Sequence, residues 1–144
     1  MSNLNLPRMT YANLATLTRG RIDRVKLAYE TTVERMRASN GASWDVFLIR
    51  HHGNAIAEIG PDYFTLDNGG WNSRTTADRL QRILKDNGAN YSARCCKLNR
   101  TDDFPTIAIW RNGKAVRVLD TAVAHFSRTD VNAPYALQGG DEYA

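Results

Sequence analysis

The sequence WDVFLIRHHGNAIAEIGPDYFTLD, residues 44–67, sets the fold class, because its apolar and β-branched residues favour strands. Three runs of strand-forming residues are separated by two glycine-containing turns, His52-Gly53-Asn54 and Gly60-Pro61-Asp62. Tight turns between such runs are typical of antiparallel hairpins. The stretch therefore predicts a three-stranded antiparallel meander, with strands at 44–51, 55–59 and 63–67.

Residues 10–38, which precede the meander, have a helical pattern of apolar residues. Gly20 interrupts this pattern and can divide the helix in two, and Ser39-Asn40-Gly41 is a typical helix stop. We therefore expect a helical segment over 10–41, preceded by a flexible arm at 1–9. The apolar positions, mostly three or four residues apart, are Leu14, Leu17, Ile22, Val25, Tyr29, Val33 and Met36.

The chain after the meander predicts one helix and then further strands. Thr75 is the predicted N-cap of this helix, which runs to about Lys85. Asn112-Gly113 separates two apolar runs and predicts a β-hairpin, because both residues accept positive φ. The predicted fold class is α+β: a helical N-terminal segment, an antiparallel β-meander, one helix and then further antiparallel strands including a hairpin. We expect an α+β domain at 42–128 and a mobile tail at 129–144.

Composition and charge narrow the classes of protein and partner. Of the 144 residues, 42% are hydrophobic and 24% charged, which is typical of a globular protein. The two cysteines are adjacent, which excludes a disulfide scaffold, and no apolar run approaches the roughly 20 residues of a membrane helix. The first ten residues have no apolar signal region, so we expect a cytoplasmic protein. The net charge is +4 and arginine supplies most of the cations, which favours an acidic or polyanionic partner.

The strongest candidate site is the start of the predicted second helix, Gly69-Gly70-Trp71-Asn72-Ser73-Arg74-Thr75-Thr76. Small residues allow a ligand to approach the backbone, and the free N–H groups of a helix start attract anions. The alternative is an ordinary capped helix with Trp71 in the core. The candidate residues for binding nucleic acid or a partner are Ser73, Arg74, Thr75, Thr76, Arg79 and Arg82, together with Arg19, Arg24 and Lys26 of the predicted N-terminal helix.

Metal binding and catalysis have weaker support in the sequence. His51 and His52 are adjacent, as are Cys95 and Cys96, and neighbours on a strand point to opposite faces. No metal site or cofactor is therefore predicted. His52 and His125 are candidate acids or bases, so a small hydrolase or transferase stays open. The absence of a nucleophile elbow, a carboxylate pair and a cofactor fingerprint favours a non-enzymatic protein.

The stretch from Asp45 to Leu84 resembles a family of small uncharacterised bacteriophage proteins. Gln81 stands where that family pattern has Asn. The resemblance implies a phage origin and a small α+β fold, and it implies no mechanism. The pieces that carry it are the strand at 46–49, Gly53 to Ala57, the strand at 63–66, Gly69-Gly70-Trp71, Thr75-Thr76 and Arg79-Leu80, with Trp110 on a later strand.

Two functional hypotheses follow from these observations. The first is a non-enzymatic phage accessory protein that binds nucleic acid through a basic, arginine-rich surface. The alternative is a protein-binding inhibitor or modulator of a host factor, such as a defence nuclease (an anti-defence role) or a transcription enzyme. Neither hypothesis involves a membrane or a cofactor, and a homo-oligomer stays open. A phage-encoded protein of either kind is expected in the host cell cytoplasm.

Overall fold

The computed structural model describes residues 6–21, 24–37, 44–120 and 123–139. This part of the chain contains two helices and ten strands, which confirms the α+β class. The helices are α1 (Tyr11–Leu17) and α2 (Arg74–Asp86). The strands are β1 (Val25–Ala28), β2 (Thr31–Arg37), β3 (Asp45–His51), β4 (Asn54–Ile59), β5 (Tyr63–Leu66), β6 (Ser92–Cys96), β7 (Thr106–Arg111), β8 (Lys114–Val118), β9 (Ala124–Ser127) and β10 (Ala136–Leu137).

The strands form two sheets in which every described pair is antiparallel. The larger sheet has the order β1-β2-β3-β4-β5-β9-β10, and the smaller one has the order β6-β7-β8. The predicted meander is confirmed as β3, β4 and β5, which pair in sequence order. Strands β7 and β8 pair across Asn112 and Gly113, both of which have positive φ.

One hydrophobic core joins both sheets and both helices. The described core side chains include Phe47 and Ile49 of β3, Phe64 of β5 and Leu80 and Ile83 of α2. Phe64 also packs on Phe126 of β9, with ring centroids 4.9 Å apart. Helix α2 packs against β6 and β4, and its start lies beside the β3–β4 turn.

The prediction of a helix over residues 10–38 is wrong for most of its length. Helix α1 ends at Leu17, and the chain then forms the hairpin of β1 and β2, which turns at Tyr29 and at Glu30 with a φ of 51°. Strand β2 pairs with β3 over all seven of its residues. Its β-branched run, Thr31-Thr32-Val33, suits a strand, and long-range pairing outweighs the helical spacing of the apolar residues. Ile22 and the predicted stop at 39–41 lie outside the described residues.

The described ends of the chain contact the core. Leu6 and Met9 are buried, and the Met9 backbone N–H donates to Asp86 Oδ2 at 2.9 Å. Near the other end, Tyr135 and Leu137 are buried and β10 pairs with β9. Residues 1–5 and 140–144 lie outside the described part, so the predicted arm, tail and domain boundaries stay predictions. Neither described helix has the length and apolar character needed to cross a membrane.

Candidate functional site

A pocket of about 390 Å³ lies between the β3–β4 turn and the loop that leads into α2. The predicted helix start forms part of its wall. The two adjacent histidines and two asparagines, Asn54 of the β3–β4 turn and Asn68 of the loop, form the rest of its polar lining. Among the ten described residues that line it, none is acidic. These residues are His51, His52, Asn54, Ile56, Asn68, Gly69, Trp71, Ser73, Thr75 and Thr76.

Side-chain hydrogen bonds hold the loop from Asn68 to Asn72 in one shape. Asn68 Oδ1 accepts from the Gly70 backbone N–H at 2.8 Å, and Asn68 Nδ2 donates to Asn72 Oδ1 at 3.3 Å. Asn72 then ties the loop to the smaller sheet, because its Oδ1 also accepts from the Ile107 backbone N–H at 3.0 Å. Gly69 and Gly70 both have positive φ, which few other residues adopt at low cost.

This loop presents Trp71 to solvent. The Trp71 side chain is 68% exposed, so the alternative in which it packs in the core is wrong. An indole this exposed at the mouth of a pocket is unusual, because large aromatic residues normally bury most of their surface in a core or an interface.

Helix α2 begins at the pocket, with Ser73 rather than Thr75 as its N-cap. Ser73 Oγ accepts from the Thr76 backbone N–H at 3.1 Å and also bonds to Thr76 Oγ1 at 2.9 Å. The first turn contains no acidic residue, and Arg74 is exposed there. The helix N-terminus carries a partial positive charge beside the pocket. Arg74 is not among the residues that line the pocket, and its charge acts on Cys95 of β6, where it opposes the rise in the thiol pKa that burial causes.

A buried hydrogen-bond network lies behind the pocket and holds His51. Arg79 Nε donates to Thr31 Oγ1 at 2.9 Å, and Thr31 Oγ1 donates to the Tyr29 carbonyl oxygen at 3.0 Å. His51 Nδ1 lies 3.1 Å from the same hydroxyl oxygen. Because the single Thr31 proton goes to the carbonyl, the arrangement that satisfies all three contacts has His51 Nδ1 donating. A neutral His51 then carries its lone pair on Nε2.

His51 is 3% exposed, and its Nε2 has no hydrogen-bond partner among the described residues. Burial lowers the pKa of His51, and the neighbouring His52 and Arg79 lower it further, whereas Glu30 opposes this shift. His51 is therefore neutral near pH 7, and its Nε2 is enclosed by the protein.

The lowered pKa of His51 predicts a pH dependence of stability. Below the ordinary histidine pKa of 6.5 the unfolded chain takes up a proton that folded His51 resists, so the free energy of unfolding falls as the pH falls. We expect a loss approaching about 1.4 kcal/mol per pH unit between pH about 6.5 and the lowered pKa. Urea denaturation at several pH values measures it. The His51→Gln variant should flatten the dependence, whereas His125→Gln, at an exposed position, should keep it; equal slopes in both variants would contradict the assignment.

The two adjacent histidines lie on the same pocket, in contrast to the prediction that they face apart. Their ring centroids are 4.3 Å apart. His52 has a φ of 52°, so the strand ends at His51 and the alternation of side chains stops there. Within the described ranges, no three histidine, cysteine or acidic side chains are grouped to hold a metal ion. Cys95 and Cys96 are half-buried free thiols on β6.

The structure brings only part of the predicted basic surface to the pocket. Ser73, Thr75 and Thr76 line it, whereas Arg74 is exposed and is not among the lining residues. Arg79 is 0% exposed, so its predicted place on the surface is wrong: it lies three residues after Thr76 and four before Ile83, on the buried face of α2.

The remaining predicted cations are placed elsewhere. Arg82 Nε lies 3.0 Å from Asp86 Oδ1, and its guanidinium donates to the Leu6 carbonyl oxygen at 2.8 Å, so it binds its own chain. Arg19 follows α1, Arg24 precedes β1 and Lys26 lies on β1, an edge strand of the larger sheet. Arg24 also lies 3.7 Å from Glu34. The predicted surface shared by two basic helices is therefore wrong, because one of those helices is a strand pair.

Sequence analysis did not assign a binding role to His51, Asn54 or Asn68. The available signal was the placement of Asn54 and Asn68 next to glycines at two turns, where asparagine commonly bonds to the backbone. The convergence of these turns on one pocket depends on the packing of α2 and has no local signature.

The structure is that of a small α+β protein with an open, non-acidic pocket at a helix N-terminus. Residues 6–101, about two thirds of the chain, match the family model described as Kyanoviridae Gp96 protein. The chain belongs to this family, a bacteriophage protein family of unknown function, which confirms the resemblance. The match includes the N-terminal segment that the resemblance left out, and it includes every residue of the pocket. Comparisons with curated proteins and with solved structures found no match.

Proposed function

We propose that this phage protein is a non-enzymatic accessory protein that binds nucleic acid at the pocket mouth. The observation that carries the proposal is the exposed indole of Trp71 beside the N-terminus of α2 and the exposed Arg74. Proteins that bind single strands commonly combine an aromatic side chain, on which a base stacks, with cationic groups that follow the backbone.

The electrostatics of the pocket support an anionic ligand. The backbone N–H groups in the first turn of a helix lack intrahelical partners and bind phosphate oxygens readily. Ser73, Thr75 and Thr76 place hydroxyl groups on the same wall. None of its described lining residues is acidic, and a described carboxylate, that of Glu30, lies 3.6 Å from His52 Nδ1.

Salt dependence tests the proposal directly. Fluorescence anisotropy of labelled single- and double-stranded DNA and RNA should show binding that weakens as salt rises, because phosphate contacts release counterions. On a single strand, Arg74→Ala should reduce the slope of log affinity against log salt by about 0.7 for one lost phosphate contact. Arg100→Ala, an exposed arginine in the loop before β7, is the matched control and should leave the slope unchanged.

Absence of binding at low salt would reject the proposal and favour the alternative, a host protein partner such as a defence nuclease or a transcription enzyme. One observation favours that alternative. Met36 of β2 and Trp44, the residue before β3, are both large apolar residues that stay exposed. Exposed apolar side chains of this kind anchor protein interfaces.

A further inference from the structure

We infer that the nucleic acid also contacts the smaller sheet, where three cations bind phosphates of its sugar–phosphate backbone: Arg94 of β6, Arg111 of β7 and Lys114 of β8. The inference rests on the proposed function and adds a second contact surface to it. One loop joins the two surfaces, because Asn72, the residue after Trp71, accepts a hydrogen bond from the Ile107 backbone N–H of β7.

All of the net charge of the chain lies in the segment that forms the smaller sheet. Residues 91–119 contain six of the 19 Lys and Arg residues and two of the 15 Asp and Glu residues, so the rest of the chain is neutral overall. Both acidic residues lie in the loop between β6 and β7, where two cations, Lys97 and Arg100, balance them. The unbalanced cations therefore lie on the strands, and a surface of one sign attracts a polyanion.

Aromatic rings hold two of these cations in place. Arg94 Cζ lies 5.3 Å from the centroid of the Trp110 ring, and Arg111 Cζ lies 5.2 Å from that of Tyr91. Arg111 also donates a hydrogen bond to Tyr91 Oη at 3.1 Å. Side chains that are already ordered lose less conformational entropy when they bind a ligand, so both guanidinium groups are prepared for binding.

The three cations are exposed, and among the described residues no ion pair includes any of them. The larger sheet differs, since Arg35 Nη1 lies 3.0 Å from Asp45 Oδ2 and Glu34 pairs with two arginines. The fourth cation of the smaller sheet, Arg117, is 8% exposed and donates to the Gln138 carbonyl oxygen. Within the described part of the chain, carboxylates therefore leave the charge of the three exposed cations unneutralised.

The β7–β8 hairpin places two of these cations directly opposite each other. Arg111 and Lys114 are Cα partners on either side of the turn at Asn112 and Gly113. Like charges in this arrangement repel each other and destabilise the pairing of the strands. An anionic ligand relieves the repulsion, so this pair is a second, independent observation that points to a phosphate.

The arrangement of Arg94 on Trp110 selects phosphates over bases as the groups that this surface contacts. The face of the indole that carries Arg94 is not open to a base, whereas the planar guanidinium matches two oxygens of one phosphate. Contacts to phosphates carry no sequence information directly. We therefore expect this surface to contribute equally to the binding of strands that differ in base sequence.

Three substitutions made together test the surface: Arg94→Gln, Arg111→Gln and Lys114→Gln. The probe is a labelled single-stranded oligodeoxythymidylate, and fluorescence anisotropy at several salt concentrations gives the affinity. The slope of log affinity against log salt should fall by about 2, at about 0.7 for each lost phosphate contact. The matched control removes the same charge at exposed positions outside the smaller sheet and should keep the slope: Arg19→Gln, Lys26→Gln and Lys85→Gln.

The outcomes separate the inference from the proposed function. A slope that the smaller-sheet variant leaves unchanged, or that both triple variants reduce equally, overturns the inference and leaves the proposed function standing. An oligodeoxyadenylate of equal length should show the same fall in slope, and a fall seen with only one of the two strands also overturns it. Failure of the wild type to bind either strand at low salt rejects the proposed function together with the inference.

The Lys114→Glu variant separates binding from folding at the hairpin. The substitution places opposite charges across from each other, so the temperature of thermal unfolding should stay the same or rise. The affinity for the strand should nevertheless fall below that of Lys114→Gln, because the new carboxylate also repels phosphates. A Lys114→Glu variant that binds as tightly as the wild type overturns the assignment of Lys114.

Discussion

The Arg79→Ala variant is expected to unfold with a free energy about 3–5 kcal/mol lower than that of the wild-type protein. Arg79 is the largest fully buried side chain in the described residues, so its truncation leaves a cavity in the core. The same change removes the donor to Thr31 Oγ1, which also holds the turn at Tyr29 and the ring of His51. Urea denaturation monitored by circular dichroism measures the free energy.

Arg74→Ala is the matched control, since it makes the same substitution on the same helix at an exposed position. We expect it to change the free energy of unfolding by less than about 0.5 kcal/mol, because it removes only a cation from an unfavourable place at a helix N-terminus. An Arg79→Ala variant as stable as Arg74→Ala would show that the buried guanidinium does not stabilise the fold.

The Trp71→Ala variant is expected to lose about 5- to 150-fold in affinity for a single-stranded oligonucleotide, the range measured for one stacked base. Trp71 is exposed and the Asn68–Asn72 contacts do not use its ring, so the stability should stay within about 0.5 kcal/mol of the wild type. Fluorescence anisotropy at fixed salt measures the affinity.

Phe104→Ala provides the comparison for Trp71→Ala, because Phe104 is a 78% exposed aromatic residue in the loop before β7, away from the pocket lining. Its removal should leave the affinity unchanged. If both variants bind as the wild type does, Trp71 is not a stacking surface and the proposed interface is wrong. If both lose affinity equally, the nucleic acid contacts a surface much wider than the pocket mouth.

The buried network connects the stability predictions to the binding predictions. Thr31 contacts His51, which lies 20 residues after it in the sequence, and it accepts a hydrogen bond from Arg79, which lies 48 residues after it. A change at Arg79 therefore disturbs the pocket as well as the core. A change at Trp71 leaves this network intact, so the Trp71→Ala variant tests binding without a confounding loss of fold.

The sequence predicted the elements that depend on neighbouring residues. The meander of β3, β4 and β5 follows from strand-forming runs and glycine turns, and α2 follows from its apolar spacing, with its N-cap at Ser73 instead of the predicted Thr75. The N-terminal segment was predicted incorrectly because the apolar positions of β1 and β2 also fit a helical period. Pairing with β3, which begins eight residues after β2 ends, determines its structure.

The turn residues and the spacing of apolar residues over 44–86 were sufficient to establish the α+β class and to indicate the start of α2. Both signals depend on residues that are close together in the chain. Only the folded chain shows the burial of Arg79, the exposure of Trp71 and the burial of His51. Each depends on contacts between residues tens of positions apart, and a side chain has no local pattern that tells which distant atoms it will meet.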